Sequence, residues 1–262
     1  MPITERIATK WRESASLIIL VKDQNIKDFG CDYRVLLFNR AEKSTFYPNS
    51  AVFPGGVHEV GDASPLWLSY IKSFGQRTNL NLFQCNSPRP AIFTNQLKGQ
   101  IQRFETGFYL VAMENIPDVI LESNEAASFS WKTPKEFIKD YFDQKLYLPP
   151  PQLYELSRLL NFPHLDELIN FARVRSSKGV TLMLPVIKKC ADGTVSLMPG
   201  DDLYSSNTDE TNQKNTETIT IEQYRSEVKN LHRIEYFNNG RFFIQLNRSL
   251  TDGHLPPVNN NI

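Results

Sequence analysis

The stretch FPGGVHEVGD, Phe53 to Asp62, decides how this chain is to be read. A proline after an apolar pair ends a strand, because it cannot donate to a β-ladder, and the two glycines that follow permit a tight backbone turn. Asp62 stands six residues beyond Gly56, with Glu59 between them. A strand end, a bare glycine turn and a nearby acid form a place where backbone can approach a ligand closely.

Outward from this turn, SASLIILV (14–21) and YRVLLFNR (33–40) are short apolar runs separated by the turn-forming DQNIKDFG, which predicts a pair of buried strands, with AVFPGG (51–56) ending a third. Ser64-Pro65 followed by LWLSYIKSF predicts a short helix over 66–74. Residues 75–100 lose periodicity and read as irregular loop. FETGFYLVAM (104–113) and AASFSW (126–131) are strand-like, and Thr133-Pro134-Lys135-Glu136 supplies a capping box for a helix through Phe142. Two further amphipathic helices are expected at 149–162 and 163–174, packed as an antiparallel pair.

Two hairpins follow. One turns at Ala191-Asp192-Gly193, where Asp-Gly would supply positive φ angles, and one at Asn239-Gly240 within 233–246. Between them, residues 205–220 hold almost no apolar content and read as a flexible excursion, and the tail beyond Leu250 reads as loose. The organisation expected is therefore an α/β domain over 1–145, a helical and hairpin extension over 146–204, a linker over 205–220 and a C-terminal hairpin and tail over 221–262.

Composition excludes several classes of partner. The 262 residues are 40% hydrophobic and 11% aromatic, enough for a packed core. Lys plus Arg and Asp plus Glu both total 29, so no overall field favours nucleic acid or an anionic membrane. Cys31, Cys85 and Cys190, like the four histidines, are scattered without metal-ligand spacing, which predicts free thiols in a reducing compartment. The longest apolar runs are too short to span a bilayer, and with no secretory signal the cytosol is the default location.

The turn belongs to a longer pattern. LLFNRAEKSTFYPNSAVFPGG (36–56) fits the spacing of the coenzyme A signature LLTxR[SA]x3Rx3Gx3FPGG at Leu36, Leu37, Arg40, Ala41 and Phe53 to Gly56, while Phe38, Thr45 and Asn49 replace its Thr, second Arg and middle Gly. Together with RFET (103–106), LPPPQLYELSRLLNF (148–162) and ADGTVSLMPGDDLY (191–204), it resembles the coenzyme A diphosphatase branch of the Nudix hydrolases, called nucleoside diphosphate-linked moiety X motif nineteen. The resemblance implies an αβα sandwich with a mixed sheet. It also implies Mg- or Mn-dependent cleavage of coenzyme A or its acyl esters, in a branch that is often peroxisomal; the C-terminal targeting tripeptide of that branch is not at Asn260 to Ile262.

One half of the family motif is missing. The Nudix box continues from its glycine as G-x5-E-x7-R-E-U-x-E-E-x-G-U, with glutamates along one helix face to hold a hard divalent ion that bridges phosphate oxygens and acidifies water. Here Gly56 and Asp62 match the first half, but no Asp or Glu occurs between Asp62 and Glu105, where Lys72, Arg77, Arg89, Lys98 and Arg103 stand instead. By the resemblance, Arg40, Phe53, Gly55 and Gly56 contact substrate, and Asp62 and Glu59 are what is left of a metal shell. Remote acids such as Glu122 or Glu125 could add to it, while Glu105, in a strand after Arg103, reads as an outward-facing strand residue with a general base as the alternative. The expectation is a Nudix-like fold whose diphosphatase activity is impaired or lost; the alternative is a non-catalytic nucleotide- or coenzyme A-binding module or a shortened isoform.

Overall fold

The computed structural model describes residues 12–23, 25, 30–44, 47–59, 91–97, 100–121, 125–178, 183–205, 216–226, 228–250 and 253–258. A seven-stranded mixed sheet is built on β1 (Arg12–Lys22), which sends Ile18 and Leu20 into the main core from one face and buries Val21 on the other. β2 (Tyr33–Arg40) runs antiparallel beside it, with Leu20 opposite Val35. β3 (Ala51–Val52) and β7 (Ala126–Lys132) both pair with β2, and β6 (Gln100–Met113) lies parallel to β1 from Arg12–Phe104 to Val21–Met113.

Two strands depart from expectation. β4 (Gly55–Val57) continues beyond the proline and pairs antiparallel with Ser14 to Ser16 of β1, so the two glycines sit inside a ladder and not in a free turn. β5 (Ala91–Leu97) forms where irregular loop was predicted, because the long β6 offers it an edge from Thr106 to Gln100. The helix predicted over 66–74, the remainder of the 75–100 loop before residue 91, and Asp62 lie outside the described residues.

Helix α1 (Pro134–Phe142) carries the predicted capping box, with the Thr133 side chain accepting from Glu136 N and the Glu136 side chain accepting from Thr133 N. α2 (Pro150–Leu159) packs on α1, and α3 (Leu165–Ser176) follows. Among the described residues no helix is long and apolar enough to cross a membrane.

The two hairpins, β8 (Val186–Cys190) with β9 (Gly193–Leu197) and β10 (His232–Phe237) with β11 (Phe242–Leu246), join as one four-stranded sheet ordered β11-β10-β9-β8, with α4 (Ile221–Ser226) close to β9. Ile234, Phe242 and Ile244 enter the same apolar core as Leu20, Leu37 and Leu153. Gly240 takes φ +82 as expected of its turn. Gly193 does not take a positive φ; it is required because a β-carbon there would lie 2.0 Å from the Tyr236 carbonyl oxygen.

Parts expected to be loose are tied down. Thr216, in the polar excursion, is buried and donates to the Lys189 carbonyl at 2.5 Å, while 206–215 lie outside the described residues. In the tail, Val258 N donates to Ser157 O at 3.1 Å and Asn161 Nδ2 donates to Pro256 O at 2.8 Å.

Candidate functional site

The FPGG segment is held on both sides. Phe53 is buried, Pro54 O accepts from Leu17 N at 2.7 Å, and the pairing of Gly55 and Gly56 with Ser16 and Ala15 fixes the glycine backbone against β1. A β-carbon on Gly55 would collide with Ala15 O, whereas one on Gly56 would meet nothing within 4 Å. Gly55 is thus needed for packing, and Gly56 leaves bare backbone facing open space.

Arg40 closes β2 just after a register shift against β7, and its amide donates to Ser50 O at 2.9 Å. The loop between β2 and β3 contains two non-glycine residues in the left-handed region, Tyr47 at φ 46 and Asn49 at φ 57. Asn49 stands where the coenzyme A signature has glycine, and asparagine is among the side chains that accept this backbone conformation most readily. The departure from the signature therefore preserves the loop. Burial, with a smaller contribution from Tyr147, pushes the Tyr47 phenol up to about 12.

A cavity of about 260 Å³ opens beside this turn, lined by Arg40, Tyr47, Phe53, Gly55 and Gly56 together with residues from β1, β6 and the start of α2. The parallel β1–β6 register puts Arg12, Ser14 and Ser16 opposite Phe104, Thr106 and Phe108, and all six line the cavity. Ser14 Oγ and Thr106 Oγ1 are 2.6 Å apart, Phe108 meets Phe53 edge to face at 6.3 Å, and the Arg12 guanidinium lies 5.8 Å from the Phe104 ring centre. Pro149, Pro151 and Gln152 complete the wall. Gln152 is 8% exposed, and its Oε1 is buried with no hydrogen-bond partner among the described residues.

All four residues expected to contact substrate, Arg40, Phe53, Gly55 and Gly56, line this one cavity. Arg12, Phe104, Phe108 and Gln152 were not foreseen, since they meet across long sequence separations and carry no local motif. Further along α2, Tyr154 and Arg158 make contacts of their own: Tyr154 Oη lies 2.8 Å from His232 Nε2, and Arg158 pairs with Glu155 at 3.0 Å and covers the Tyr154 ring. The first turn of α2 is the part that reaches the cavity.

No acid is among the described residues that line the cavity. Glu59 is exposed and is not among the described lining residues, Asp62 and Glu122 lie outside the described residues, and Glu125 is exposed near Arg40. Glu105 is placed by its backbone opposite Glu13 in the β1–β6 pair. Among the described residues no group of three or more His, Cys, Asp or Glu side chains could hold a metal ion. With neither that cluster nor an acid over residues 63–104, the residues described do not fit the Mg or Mn site that the Nudix fold implies.

Burial holds the Arg40 guanidinium below its ordinary value, with Glu125 pulling weakly the other way. The site therefore offers cationic forks, hydroxyls, bare glycine backbone and aromatic faces. Such a set of groups can receive a phosphate-bearing organic ligand by direct contact.

The chain matches the NUDT19 Nudix domain in two segments, residues 11–101 and 93–159, and the NUDT19 C-terminal domain over residues 187–247. It is 27% identical to the acyl-coenzyme A diphosphatase NUDT19 of Xenopus laevis over 340 aligned positions, covering 86% of this chain and 90% of that one. With the protein of the same name from Gallus gallus it shares 25% identity over 358 positions, covering 95% of each. With that of Homo sapiens it shares 35% over 170 residues, 64% of this chain and 45% of the relative. Among solved structures, a NUDIX hydrolase from Alicyclobacillus acidocaldarius aligns at 16% identity and TM-score 0.45 over 62% of this chain and 97% of its own. The two longest alignments contain more positions than this chain's 262 residues, so those relatives carry segments with no counterpart here. The two Nudix-domain segments meet at residues 93–101, within the interval 63–104 that has no carboxylate.

Proposed function

We propose a function on one premise: this chain belongs to the NUDT19 Nudix family. Its cavity at the FPGG turn binds coenzyme A, an acyl ester of it or a related nucleotide diphosphate, and the diphosphate cleavage named in its relatives is impaired or lost in this chain. In Nudix hydrolases a carboxylate-held divalent ion supplies the activated water and neutralises the phosphates. Arg40 and the Gly55-Gly56 backbone position the phosphate region, and Phe53 and Phe108 give it an apolar border.

The observation that carries this reading is that the four signature residues Arg40, Phe53, Gly55 and Gly56 line one cavity, while residues 63–104 hold no Asp or Glu. Calorimetry with coenzyme A in EDTA tests the binding, and chromatography for adenosine 3′,5′-bisphosphate after incubation with Mg or Mn tests the turnover. Heat without product supports the reading. Metal-dependent product well above a no-enzyme control overturns the loss of catalysis, and absence of heat from folded protein overturns the binding.

The long alignments favour a second reading, a shortened product of a longer family member. Intact mass of the native protein distinguishes the two, because a longer species carrying an acid-rich insertion would identify this chain as the shortened form.

A further inference from the structure

We propose that the cavity takes the phosphate of its ligand directly on Arg12 and Arg40, as a metal-independent anion clamp with which a divalent cation competes. The inference rests on the ligand class argued above and names how that class is held. Arg12 opens β1 and Arg40 closes β2, and both side chains line the same cavity. No Asp or Glu is among the described residues that line it, so the two guanidinium charges are not neutralised within the wall.

Neither arginine is paired with a carboxylate whose side chain is described. Among the described residues neither makes an ion pair, and the Nε of Arg40 is buried with no hydrogen-bond partner. A half-buried cation whose nearby carboxylate, Glu125, is solvent-exposed and outside the cavity wall is costly, and burial already pulls the Arg40 guanidinium below its ordinary value. An anion would relieve both costs, since the planar fork of arginine matches two oxygens of a phosphate. Gln152, whose buried Oε1 lacks a partner among the described residues, shows that the polar lining is also unsatisfied on the α2 side.

A metal-bridged site and a guanidinium clamp respond to magnesium in opposite directions. In the first, the ion links phosphate to carboxylates and strengthens binding. In the second, magnesium is repelled by the wall and removes charge from the ligand, so binding weakens.

Inorganic pyrophosphate and coenzyme A are titrated into the full chain by calorimetry, in EDTA and in excess magnesium. The clamp predicts pyrophosphate binding in EDTA, weakened several-fold by magnesium and by added salt. It also predicts that Arg12→Gln and Arg40→Gln each lower affinity for both ligands by about tenfold. Arg12 is exposed, so its variant should melt as the wild type does, which separates lost binding from lost folding. Magnesium that strengthens pyrophosphate binding, an Arg12→Gln protein that binds as the wild type, or coenzyme A binding without pyrophosphate binding would each overturn the clamp while leaving the coenzyme A reading intact. Pyrophosphate binding without coenzyme A binding would support the clamp and overturn that reading.

Discussion

A β-carbon added to Gly55 would lie 2.3 Å from the carbonyl oxygen of Ala15, closer than any real contact. The clash is with backbone in a paired strand, which cannot move without breaking the β1–β4 ladder. Gly55→Ala is therefore expected to lower stability by about 1–3 kcal/mol, read as a shift in urea midpoint. Gly56→Ala, with open space around it, should keep the wild-type midpoint and lose ligand affinity by occupying the cavity. Equal midpoints for the two variants would refute the assignment of packing to one glycine and access to the other.

The loop above the cavity gives a second test. Asn49 holds φ 57, and Tyr47, two residues before it, holds φ 46. Asn49→Gly should be close to neutral in stability, because glycine enters this region freely, whereas Asn49→Val should cost about 1–3 kcal/mol. Thermal melting of the two variants against wild type decides this. A valine variant as stable as the glycine one would mean that the loop relaxes to another conformation.

In the C-terminal sheet, Arg233 Nε and Nη2 donate to Asp201 at 2.7 and 2.6 Å, and both side chains are wholly buried. Asp201 also accepts from His232 N at 3.0 Å and Leu203 N at 3.0 Å, so one carboxylate ties β10 to the turn after β9. Asp201→Asn leaves a buried guanidinium without its counter-ion and is expected to cost about 3–5 kcal/mol. Replacing both members with apolar residues of similar volume should cost much less. Chemical denaturation of the single and double variants checks the difference, and a single variant within about 1 kcal/mol of wild type would contradict it.

Much of the frame was legible because it rests on local pattern. The apolar runs of β1 and β2, the Thr133–Glu136 capping box and the Asn239-Gly240 turn each carry their own signal, and each appears where its residues place it. β5 was not legible, since AIFTNQL is held by the length of β6 and not by an alternation of its own. Gly193 was read as a turn glycine, yet its reason is the approach of Tyr236 from a strand far along the chain. The same division holds at the site: Arg40 and Phe53 to Gly56 are contiguous enough to form a signature, whereas Arg12, Phe108 and Gln152 meet there only through the β1–β6 register and the docking of α2.

The last prediction concerns acid. His232 is buried, with Nδ1 2.8 Å from the Pro199 carbonyl and Nε2 2.8 Å from the Tyr154 hydroxyl. A carbonyl can only accept, so Nδ1 carries the proton and Nε2 accepts from tyrosine in the neutral ring. Burial, the largest influence, holds the imidazole below its usual value of 6.5 despite the Pro199 bond. The unfolded chain therefore takes up the proton first as pH falls, so the stability this group contributes is complete above about 6.5 and is lost as pH drops through the folded value. Asp202 acts in a separate window. Its carboxyl, held down to about 2 mainly by hydrogen bonds from Asn230, contributes stability that is lost only as pH falls below its ordinary 3.8. Urea midpoints for the wild type should begin to decline as pH falls below about 6.5, and His232→Gln should flatten that slope while leaving the decline below the ordinary Asp202 value of 3.8 in place. Parallel slopes for the two proteins between those values would show that another group governs the acid sensitivity.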